Sequence, residues 1–94
     1  GREERGRGVM EPIQARFYNP ETRESLTLTL PRNTRFAALT AMLQERGFAD
    51  GRKAGWRYLY QDHLCGMKHM LSDYVPENAE EIALDLFGFS QVLV

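Results

Sequence analysis

From residue 12 onward apolar and polar positions alternate. Ile13, Ala15 and Phe17 are interleaved with Gln14, Arg16 and Tyr18, the period-two pattern of a half-buried strand. Asn19-Pro20-Glu21-Thr22 is a turn, because proline fixes φ and has no amide to donate. Leu26, Leu28 and Leu30 then alternate with Thr27 and Thr29, the cleanest strand signal in the chain. A connection of about five or six residues makes these two strands an antiparallel hairpin. Its apolar face carries the three leucines with Ile13, Ala15 and Phe17.

Pro31 closes the second strand, and the period changes to that of a helix over residues 35–46. Phe36, Leu39 and Leu43 form its apolar stripe with Met42 beside them, while Ala37, Ala38 and Ala41 favour helix without demanding space. Asn33 or Thr34 is the expected N-cap and Gly47 the expected stop, with Phe48 making the apolar contact that accompanies such a stop. After a loop over residues 49–55, Trp56 to Tyr60 reads as a strand, with Trp56, Tyr58 and Tyr60 on one face and Arg57 and Leu59 on the other. Residues 61–70 have turn or short-strand character, and residues 71–74 read as one helical turn. Ile82, Leu84 and Leu86 alternate with Ala83, Asp85 and Phe87 in a final strand. Hairpin, helix, strand, turn and strand together describe an α+β two-layer fold, with the last strand parallel to the first if it is central.

The chain of 94 residues is one small domain. Residues 1–11 are charged and Gly-rich and are read as a tail, residues 12–87 as the domain, and residues 88–94 as an apolar C-terminal extension. A net charge of -1 argues against a dedicated binder of nucleic acid or anionic membrane. No apolar run reaches the roughly 18–20 residues of a transmembrane helix, and no signal peptide is visible. The single cysteine, Cys65, excludes an intrachain disulfide and a multi-cysteine zinc site, and points to a reducing compartment such as the cytoplasm.

Candidate chemistry is sparse. Asp62, His63 and Cys65 are the residue types of a thiol nucleophile set, but a base and an orienting acid come from distant segments, and these three crowd one turn. Cys65 is better read as a small packing residue. His63, Cys65 and His69 give three metal-ligand candidates in one loop, where structural zinc takes four in paired clusters. Gly51-Arg52-Lys53 is followed by Ala54 rather than helix-opening Ser or Thr, so it is not a phosphate loop. No catalytic, cofactor or metal residue is assigned. Trp56, Tyr58 and Tyr60 are candidates for an aromatic platform, with the core the favoured place for Tyr58.

The second half resembles ubiquitin. Arg57 to Tyr60, the quartet Leu71-Ser72-Asp73-Tyr74 and the closing Ile82-Ala83-Leu84-Asp85-Leu86 stand in ubiquitin's order and spacing, and the first half fits in outline. The resemblance covers about residues 12–87 and implies a ubiquitin-like β-grasp fold, a mixed sheet of four to five strands packed on one main helix. It also implies a role in binding proteins. Two departures matter. The last strand runs into Phe87-Gly88-Phe89-Ser90 without a Gly-Gly pair, so conjugation is not expected. On the receptor face Leu59 matches the central isoleucine, but Asp85 replaces a valine and Ala83 a histidine, and a charge in an apolar patch is costly to desolvate. The chain is also similar to the YukD/EsaB-like small proteins of bacterial type VII secretion, which lack Gly-Gly and often open the third strand with a tryptophan, as Gly55-Trp56-Arg57 does here.

The expectation is therefore a non-catalytic protein-binding module, with Arg57, Leu59, Asp85, Phe87 and Phe89 as contacts and another protein as partner. An accessory role in bacterial type VII secretion is the nearest analogy. The alternatives are an adaptor domain of a larger protein, and a small metal- or thiol-dependent protein using residues 62–69. Phe87, Phe89, Val92, Leu93 and Val94 crowd the C-terminal segment with apolar groups, which either pack back or pair with another strand, giving a homodimer in one form.

Overall fold

The computed structural model describes residues 12–52 and 55–89. Five strands form one mixed sheet, and a single α-helix packs across one face of it. The strands are β1 (Pro12–Asn19), β2 (Glu24–Pro31), β3 (Gly55–Tyr60), β4 (His63–Leu64) and β5 (Glu81–Phe89), and the helix is α1 (Phe36–Glu45). The order across the sheet is β2-β1-β5-β3-β4. β5 lies centrally, parallel to β1 and antiparallel to β3.

The hairpin loop is tighter than its sequence suggested, because Asn19 belongs to the strand rather than the turn. β1 and β2 pair through Asn19↔Glu24, leaving only residues 20–23 between them. Asn19 is buried, and its amide satisfies both ends of itself: the carbonyl accepts from Glu21 N–H at 2.9 Å and the Nδ2 donates to Phe48 O at 3.0 Å. Arg23 closes the loop at a φ of 65°, its N–H donating to Asn19 O at 2.7 Å.

Alternation places its residues as expected. Ile13, Ala15, Phe17, Leu30, Trp56, Tyr58, Ile82, Leu84 and Leu86 are buried under α1, with Leu26 and Leu28 half-buried near the β2 edge. Phe36, Leu39 and Leu43 complete the core from the helix. Phe17, Phe36, Tyr58 and Tyr74 form a chain of ring contacts through its centre. The Tyr58 hydroxyl shares a hydrogen bond with Thr40 at 2.8 Å, and burial raises its pKa above the usual phenol value.

Neither Asn33 nor Thr34 caps the helix. The N-cap is Arg35, which offers no side-chain cap, and the Thr34 hydroxyl donates instead to Pro31 O at 2.7 Å. Backbone from the loop after β4 does the capping: Phe36 N–H donates to His69 O at 3.0 Å and Ala37 N–H to Met67 O at 2.9 Å. These are two of the orphan amides every helix start leaves. The same loop is tied down by Leu71 N–H to Thr34 O and Ser72 N–H to Arg32 O, both at 3.0 Å. The helix stops as expected: Gly47 takes a φ of 74°, its N–H donates to Gln44 O, and Phe48 N–H reaches back to Leu43 O, the paired bonds of a Schellman stop.

Candidate protein-binding face

The face of the sheet opposite α1 is uncovered by any element of the described structure. Gln14, Arg16 and Tyr18 reach it from β1, Ala83, Asp85 and Phe87 from β5, Arg57 and Leu59 from β3, and Leu64 from β4, because each alternates with a buried neighbour or pairs with one that does. One transverse row runs Tyr18, Asp85, Leu59, Leu64, each directly opposite the next. Beside it Arg57 pairs with Phe87 and Arg16 with Ala83.

Among the described residues the exposed large hydrophobics are Tyr18 at 38%, Phe87 at 47% and Leu64 at 50%, and all three stand on this face around half-buried Leu59. Scattered apolar side chains on a surface need no explanation, but their convergence on one sheet face does. Arg57 supplies a held positive charge. Its guanidinium donates to Cys65 O at 3.0 Å, while its Nε is buried with no hydrogen-bond partner. Asp85 places an exposed carboxylate between Tyr18 and Leu59.

The expected contacts Arg57, Leu59, Asp85 and Phe87 thus come together on one surface. Phe89 pairs by its backbone with Gly55, and its side chain lies outside the described residues, as do residues 1–11, 53–54 and 90–94. Sequence reasoning missed Tyr18 and Leu64. The signal for Tyr18 was present in the β1 alternation; Leu64 sits in a two-residue strand too short to show a period. Tyr58 is in the core, where it was expected, and Trp56 is buried too, its indole N–H donating to Asp50 O at 3.1 Å, so these rings form no exposed aromatic platform.

The loop of residues 61–69 distributes its chemistry rather than concentrating it. Gln61 and Asp62 make the tight turn from β3 to β4 at φ values of 51° and 68°. Cys65 is fully buried, and desolvation raises its thiol pKa to about 11 despite the opposing pull of Arg57. His69 instead faces Asp73, Nδ1 to Oδ2 at 3.4 Å, and lies edge-on to Tyr74. The Met70 N–H donates to Asp73 at 2.8 Å and is the main cause that holds this carboxyl below its ordinary pKa, with His69 and Arg35 adding to it.

A solved de novo designed protein, described as based on ubiquitin, superposes with a TM-score of 0.66 over 95% of this chain and 99% of its own, at 17% identity. The chain has a ubiquitin-like fold. No family model and no curated protein matches the sequence. At that identity the likeness concerns the fold, and a fold hosts many functions. In a ubiquitin-like frame the uncovered face is the open side of the grasp, and the helix holds the other side.

Proposed function

We propose that this chain is a non-catalytic protein-binding module that engages another protein through the open face of its sheet. The observation that carries this is the gathering of Tyr18, Leu64 and Phe87 around Leu59, with Arg57 and Asp85 at the centre. An apolar centre with a few oriented charges is what a specific interface requires: the apolar area supplies affinity, and the charges select the partner. Asp85 demands a donor on the partner, since burying an unpaired carboxylate costs more than the apolar contact returns. The partner surface is therefore apolar with a Lys or Arg placed to meet Asp85.

Within ubiquitin-like proteins, we read the chain as closest in role to the small accessory proteins of bacterial type VII secretion, acting in the cytoplasm. The support is the tryptophan opening β3. Trp56 is buried and joins β3 to the loop after α1.

The test uses the full chain as bait against Leu59→Lys and Leu64→Ser variants. Lysine at position 59 stands opposite Asp85, so the sheet tolerates it. Proteins captured by the wild type and lost from both folded variants are the expected result. Capture that is identical with all three baits rejects the open face as the binding surface.

A further inference from the structure

Among the described residues no strand pairs with the outer edge of β2. It is an eight-residue edge strand whose stretch Ser25–Leu30 contains no charge, no proline and no glycine. Natural edge strands are usually blunted by just such residues, and one without them is a template for another strand. The helix leaves this edge incompletely covered. Thr40 and Gln44 on one flank of α1 reach toward β3 and its preceding loop, through Tyr58 and Asp50. Met42 lies on the opposite flank of the helix, and it, Leu26 and Leu28 are half-buried hydrophobics packed against the core. These half-buried apolar side chains lie beside outer-edge backbone groups that no described strand pairs with.

Residues 90–94, Ser-Gln-Val-Leu-Val, are uncharged and rich in β-branched residues. Reach decides whose β2 they can pair with. Five residues span at most ~17 Å. A strand beside β2 lies three inter-strand spacings from β5, ~14 Å away. β5 also runs on through Phe87, Gly88 and Phe89, past the level at which β1 ends and β2 begins. Those three residues add ~10 Å along the strand direction. The combined path uses the whole reach and leaves nothing to pair, so these residues cannot augment the β2 of their own molecule.

We propose that residues 90–94 of one copy add as a sixth strand to the outer edge of β2 in a second copy, with alternate side chains packing against the half-buried Leu26, Leu28 and Met42. Exchanged reciprocally, the two tails close a two-fold dimer. The β-ladder supplies backbone hydrogen bonds, the half-buried apolar side chains supply selectivity, and no side chain of residues 25–30 or 90–94 carries a charge. This contact uses the sheet edge on the helix side and leaves the open face free, so it stands or falls separately from the partner-binding reading.

Sedimentation equilibrium of the full chain, from low micromolar to about 1 mM, tests it alongside Leu93→Asp and Leu28→Lys. The wild type is expected to pass from one chain mass, 10.8 kDa, to twice that on concentration, and both variants to stay at one chain mass. Leu93→Asp changes no residue of the described core, so its result is read beside Leu28→Lys even where the latter loosens the fold, which circular dichroism reports. Amide exchange in the wild type is expected to slow along β2 as the mass doubles. A wild type that stays at one chain mass overturns the proposal. So does a dimer that survives Leu93→Asp, which assigns association to a different surface.

Discussion

Leu59 is half-buried at the centre of a row that begins at Tyr18 and ends at Leu64, and no element of the described residues covers its apolar surface. Replacing it with lysine is expected to remove partner binding while shifting stability by less than ~1 kcal/mol, as surface changes of this kind do. Chemical denaturation beside a binding isotherm checks both halves. Cys65 makes a contrasting prediction, since burial lifts its thiol from 9.0 to about 11. A rise of two units in the thiol's pKa lowers the thiolate fraction about 100-fold near pH 8, and the thiolate is what reacts. Alkylation of the native chain is expected to be at least that much slower than of the chain in urea. The reading of Cys65 as a packing residue was available from its isolation in sequence, whereas the Arg57–Cys65 backbone contact was not, because it depends on how the chain turns after β4.

At the scale of elements, the β3–β4 turn is a costly local choice. Gln61 and Asp62 both sit at positive φ, which Asn-Gly adopts with little strain and Gln-Asp does not. Exchanging them for Asn-Gly is expected to raise stability by ~1–2 kcal/mol in thermal unfolding. Gly47→Ala is expected to cost ~1 kcal/mol purely through its φ of 74°, because an added Cβ meets nothing within 4 Å. Asp73 gives the loop that caps α1 an acid dependence. Its pKa is lowered in the fold, chiefly by the Met70 amide, so its stabilising effect is present above the ordinary carboxylate value and is lost as pH falls through the folded one. Asp73→Asn is expected to flatten that acid limb of an unfolding-versus-pH curve without shifting the neutral region upward. The strands and helix were legible because apolar alternation and a single helical stripe each bury one face. The helix start was not, since its amides are satisfied by the carbonyls of Met67 and His69, thirty residues downstream, rather than by a side chain next to it.

For the whole molecule, one small core has to hold five strands and one helix. Leu84 is buried at the middle of the central strand, paired to β1 through Phe17. Leu84→Ala is expected to destabilise by ~2–5 kcal/mol, enough to unfold a large fraction of a domain this size. The grasp architecture was readable from element order, because a helix that follows a hairpin must cover one sheet face and the remaining strands must complete that sheet. The binding face was readable in part. Arg57, Leu59, Asp85 and Phe87 follow from strand alternation, but their assembly with Tyr18 and Leu64 depends on β5 lying between β1 and β3, which only the topology supplies. On this reading the open face binds a protein partner. Amide chemical-shift mapping of the isotope-labelled full chain, titrated with the protein it captures, tests this most directly. Shifts are expected to concentrate at Tyr18, Arg57, Leu59, Leu64, Asp85 and Phe87, with α1 unmoved. Shifts confined to α1 and the loops at its ends, with the sheet face silent, would contradict it.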